Sequence, residues 1–171
     1  MAVQQNGSLL LNLISQLMNP LNLSTPADAL AIQKVLTYPT GTAAGQADLR
    51  WASGGRSIAL SSSENLDLAG SLTDPFGNVI TFADIRLVYI YAAPTNVNNV
   101  VLGNAASNGW QGWFGALTHT EAVRPGGISL HAAIDTTAWP VTAGTGDILK
   151  VANSGAGTAV VYDILVLGSS A

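Results

Sequence analysis

From Gly45 onward the chain alternates short apolar runs with clusters of Gly, Pro, Asn, Asp and Ser, a rhythm that restricts it to a fold of many short antiparallel strands. Runs with strand character cover residues 47–52, 57–61, 64–69, 79–82, 85–93, 99–102, 110–114, 120–124, 127–134, 148–153 and 159–167. Between them, Asp74-Pro75-Phe76-Gly77-Asn78 joins a proline that presets a turn to a glycine free to take positive φ, and Pro125-Gly126-Gly127, residues 143–146 and residues 153–157 follow the same logic. In the run 64–69, Leu66 and Leu68 alternate with Asn65 and Asp67, so one face is wet. The run 85–93 is apolar on both faces apart from Arg86, which predicts a central strand. The expected fold is an all-β antiparallel sandwich, jelly-roll-like, over residues 41–171.

Residues 1–40 read differently. Leu9, Leu10, Leu13, Ile14 and Leu17 fall on one face of a helix with Asn12, Ser15, Gln16 and Asn19 opposite, Ser8 as cap and Pro20 as stop. A second short helix is signalled by Thr25 as cap, Pro26 at the first helical position and Asp28 in the first turn, ending before residues 38–41. The expectation is a short helical N-terminal arm. The polar face of its first helix has no charge, which leaves two readings open: an arm docked on a neighbour, or a helix packed on its own domain.

Charge sharpens this point. Only 9% of the residues are Asp, Glu, Lys or Arg, against roughly a quarter in an ordinary soluble domain. Charge normally keeps a surface solvated and unassociated. A chain so poor in it covers its surface with uncharged polar groups and with other copies or other proteins. The net charge of −4 and the scatter of the six basic residues exclude nucleic acid as the expected partner. The run 159–167 is interrupted by Asp163 and is far shorter than the ~20 residues of a spanning helix, so no membrane partner is expected. The first five residues lack the basic charge of a secretory signal. With no cysteine, neither a disulfide scaffold nor a thiolate metal site is available.

Catalytic chemistry has little to work with. The pair His119 and Glu121 shares one strand face, but a metal needs at least three ligands and no such spacing exists; a plain surface strand edge explains the pair better. His131, between Leu130 and Ala132, reads as a satisfied, partly buried histidine. Ser61-Ser62-Ser63 has no nucleophile context, and the glycine-rich stretches lack the lysine and helix of a phosphate loop. Asp135 and Asp147 offer oxygen ligands without a calcium-loop pattern. No catalytic, cofactor-binding or metal-binding residue is nominated. Trp110 and Trp113, three apart around Gly112, cannot both face one side of a regular strand. Either both rings plug an end of the sandwich, or one is exposed as an interface contact or a sugar platform.

An ordered set of segments carries a resemblance over residues 45–171. It comprises residues 64–74, Phe76-Gly77, Ile80-Thr81-Phe82, residues 98–103, residues 123–127 and residues 143–153. Together they resemble a family of small virion proteins of tailed bacteriophages. The resemblance implies a capsid decoration, cement or minor capsid protein, assembled in the bacterial host cytoplasm and bound to the major capsid protein as a homo-oligomer, a trimer being favoured. No motif in it is catalytic, which fits a structural protein rather than an enzyme. Leu9, Leu13, Ile14 and Leu17 are the expected arm contacts, with Trp110 and Trp113 as further interface candidates. The alternative is a tail-associated module binding host glycan, which requires an exposed tryptophan in a polar cleft. A glycan-processing enzyme would need two facing carboxylates, and no pair suggests itself.

Overall fold

In the computed structural model residues 4–171 are described, and the first three of the five residues read as lacking the basic charge of a secretory signal lie outside them. Among the described residues every regular element is a β-strand. Strands β3 (Leu49–Ile58), β5 (Asp84–Ala92), β8 (Ile128–Ala132) and β11 (Val160–Ser169) form one antiparallel sheet in the order β3-β11-β5-β8, with the short β9 (Trp139–Pro140) also paired to β5. Strands β4 (Ser63–Asp67), β6 (Val100–Gly103), β7 (Thr120–Val123) and β10 (Ile148–Asn153) form the second, in the order β4-β10-β6-β7. The sheets face each other across one core. Val88, Ile90 and Val166 from the first meet Leu66, Leu102, Leu149 and Val151 from the second, all buried. The alternating strands of the sequence place these side chains inward and their neighbours outward.

The central position of the run at Ile85 holds, since β5 lies between β11 and β8. Arg86 is the largest fully enclosed side chain. Its Nε lies 2.9 Å from Asp84 Oδ1, and its Nη1 donates to the Asp135 carbonyl. Burial of a guanidinium is tolerable only with such pairing. Where β11 passes β5 the register shifts between Leu167 and Gly168, and a Cβ on Gly168 would lie 2.2 Å from the Asp84 carbonyl oxygen. Only glycine lets the two backbones approach that closely.

The helical arm is not what the chain forms. Residues expected to be helical pair instead as a hairpin of β1 (Gly7–Met18) and β2 (Ala27–Tyr38), in continuous register from Gly7 opposite Tyr38 to Met18 opposite Ala27. The physical reason lies in the spacing. Leu9, Leu13 and Leu17 are four apart, a separation that returns to the same face of a helix and also to the same face of a strand. Leu11, Leu30, Ile32 and Leu36 complete the strand pattern by pairing across the ladder, a long-range relation that local periodicity cannot express. Pro20 and Pro26, read as helix punctuation, instead bracket the hairpin loop, where Asn19 N–H donates to the Pro26 carbonyl at 3.0 Å and Leu21 N–H to Ser24 at 2.8 Å.

Residues 110–114 are also not a strand. Gly112 takes φ +51° and turns the chain, with Phe114 N–H bonded to the Gln111 carbonyl. The runs 47–52 and 57–61 merge into the single strand β3, and residues 79–82 contribute isolated pairing rather than a strand.

Candidate interaction surface

The hairpin meets the domain only at its root. Tyr38 is fully buried with Ala47, Leu87 and Leu167, and Leu9 and Leu36 pack against this cluster on the outer face of the β3-β11-β5-β8 sheet. Beside the root an apolar groove of about 420 Å³ runs between Leu9 and the outward side chains Leu87, Tyr89, Leu130 and Leu165. Beyond it, β1 and β2 pair with each other and with no other strand. Twelve paired residues at ~3.4 Å each give an arm about 40 Å long.

Cross-strand partners share a face, so the register fixes what each face presents. One carries Leu9 with Leu36, Leu11 with Lys34, Leu13 with Ile32, Ser15 with Leu30, and Leu17 with Asp28. The other carries Leu10 with Val35, Asn12 with Gln33, Ile14 with Ala31, Gln16 with Ala29, and Met18 with Ala27. Leu13, Ile14 and Leu17 are 53%, 75% and 72% exposed. An apolar face about 40 Å long and ~10 Å wide is as large as the biggest patches that monomers ordinarily expose, and this arm has one strongly and one partly apolar face. An isolated two-stranded hairpin is marginal in water. Asp28 and Lys34 are its only charges.

The sequence-nominated residues separate accordingly. Leu13, Ile14 and Leu17 stand on the exposed arm, on both of its faces rather than on one helical stripe. Leu9 is half-buried at the root. Trp110 corrects its expectation as an interface contact: it is only 3% exposed, it belongs to the chain's own core, and its Nε1 donates to the Pro140 carbonyl at 2.9 Å. Trp113 packs edge-on to Trp110 at 5.4 Å and stacks flat on His131 at 4.0 Å. One ring face is thus already covered within the chain.

The carboxylate beside these rings has a different partner from the one the sequence suggests. Glu121 Oε2 lies 2.9 Å from His131 Nε2 and accepts the Trp113 indole N–H at 2.8 Å, whereas His119 takes no part in this pairing. Burial raises the Glu121 carboxyl, but the hydrogen bonds and the His131 charge outweigh it and hold the group below the usual carboxylate range. The Ser129 hydroxyl is close to it, without a hydrogen bond of ordinary geometry. Since β7 and β8 are edge strands of opposite sheets, this cluster closes one open side of the sandwich. The other side is closed in the same way. Arg56 on β3 pairs with Glu64 on β4, and the Tyr162 hydroxyl donates to Glu64 Oε1 at 2.9 Å. Burial, and then the Glu64 carboxylate, hold the Tyr162 hydroxyl far above the usual phenol range, so it remains a donor.

Both clusters therefore have a structural task, and neither presents two carboxylates across a cleft. Among the described residues no three His, Asp or Glu side chains converge as a metal site. Among the described residues no helix is long and apolar enough to cross a membrane. Compared with family models, with curated proteins and with solved structures, the chain matches none.

Proposed function

We propose that this protein is a structural virion protein of a tailed bacteriophage, a capsid decoration or minor capsid subunit that binds the major capsid protein and stabilises the head. The observation that carries the reading is the arm: a long apolar hairpin with no partner in its own chain. Such a surface, at the upper end of what a monomer exposes, favours an assembly that covers it. The architecture supports it as well. With strands β3 to β8, β10 and β11 taken in order, the sheet orders β3-β11-β5-β8 and β4-β10-β6-β7 support reading the sandwich as a jelly roll, a fold used in viral shells. The resemblance of residues 45–171 to small phage virion proteins points the same way. A subunit that binds the assembled lattice and ignores dissociated components shifts the equilibrium towards assembly by mass action. The glycan-binding alternative requires a tryptophan exposed in a polar cleft, whereas Trp110 is enclosed and Trp113 has one face stacked on His131.

Imaging of particles produced with and without this protein tests the proposal. Additional density on the capsid surface is expected; density confined to the tail would sink it.

A further inference from the structure

We infer that two copies of this chain join through the free edge of β2, antiparallel about Ala31, to make a continuous four-stranded sheet β1-β2-β2-β1. The inference deepens the reading of the arm as an assembly surface and specifies what covers its edge. It starts from the hydrogen-bond phase. Asn19 N–H bonds to the Pro26 carbonyl, so this rung of the hairpin is a hydrogen-bonded one. Antiparallel rungs alternate, and residues 28, 30, 32, 34 and 36 therefore spend their backbone groups on β1. Ala27, Ala29, Ala31, Gln33 and Val35 direct theirs outward, along an edge with no proline or bulge to block it.

Charge then sets the register and the identity of the occupant. Asp28 and Lys34, the arm's only charges, are both on β2 and on the same face, three residues to either side of Ala31. A twofold pairing centred at Ala31 sets Asp28 directly opposite the partner's Lys34 and Lys34 opposite the partner's Asp28. Leu30 then faces the partner's Ile32. The same register brings the outward backbone groups of Ala27, Ala29 and Ala31 against those of Val35, Gln33 and Ala31 of the partner, as hydrogen-bonded rungs. The charged pairs fall on the intervening rungs, where side chains approach closest. The charge pattern thus selects one register among those that the hydrogen-bond phase permits. Pairing β2 with a neighbour's β1, the arrangement that generates rings, would place both charges against an uncharged strand.

The purified full-length chain, without capsids, provides the test. Light scattering should give a dimer. Asp28→Lys and Lys34→Asp should each weaken it about tenfold by setting like charges opposite one another, and the double exchange should restore it. Because cysteine is absent, Ala31→Cys should crosslink the dimer on mild oxidation: paired Cα atoms ~5.5 Å apart suit a disulfide. Ile14→Cys, on the outer edge of β1, should not crosslink, since the two β1 strands would be ~14 Å apart. A monomer or a trimer, a double exchange as impaired as the single ones, or crosslinking through position 14 and not 31 would overturn the pairing. Absence of the protein from capsids would count against the virion reading alone, because the dimer is measured without them.

Discussion

Leu13 lies directly opposite Ile32 across the arm, and both side chains are exposed. An apolar rung of this kind gains little in water, because its side chains remain hydrated on the outward side. Its contribution becomes available when another surface covers it. Under the proposed function, association would complete the stability of this arm.

Replacing Leu13, Ile14 and Leu17 together by serine should separate folding from assembly. These side chains are exposed, so the melting transition of the sandwich should change by no more than about 1 kcal/mol. Occupancy on particles should fall below detection, measured by gel densitometry of purified virions. Unchanged occupancy would remove the arm from the assembly interface.

Trp110 should behave in the opposite way. Trp110→Ala removes a ring enclosed in the core and a hydrogen bond to Pro140, and should cost about 3–5 kcal/mol in urea unfolding. Trp113→Ala should cost less, since that ring is only partly buried. Equal costs would contradict the burial difference.

Glu121 should make the fold sensitive to acid. Its folded-state carboxyl sits below the ordinary value, so its contribution is fully present above the unfolded value of ~4.3 and is lost as pH falls through the lower folded one. Between pH 5 and pH 3 the native chain should therefore lose more stability than Glu121→Gln. Parallel stability curves for the two would show that the Trp113 and His131 bonds do not favour the ionised form.

Arg86 tests the buried ion pair. Arg86→Met retains volume but leaves Asp84 without its partner and the Asp135 carbonyl without its donor, and about 3–5 kcal/mol of stability should be lost. Chemical denaturation with an unchanged m-value would assign the loss to the native state.

The sandwich was legible because its signals are local. Turn chemistry at Asp74 to Asn78 and at Pro125 to Gly127, and alternation at Leu66 and Leu68, each specify a backbone geometry within a few residues. The centrality of β5 follows from a run that is apolar on both faces apart from Arg86. His131 was recognisable as a satisfied histidine, but its partner was not. Glu121 belongs to the opposite sheet, and nothing local connects edge strands of two sheets.

By itself, then, the sequence determined a β-strand domain over residues 41–171 and a distinct N-terminal segment poor in charge. Tertiary structure alone decided that the N-terminal segment is a hairpin, that Trp110 is enclosed while Leu13, Ile14 and Leu17 are not, and that Glu121 answers to His131. The reason is the four-residue spacing of Leu9, Leu13 and Leu17, which fits a helix and a strand equally well. Only pairing with Leu36, Ile32 and Asp28, distant in the chain, distinguishes the two.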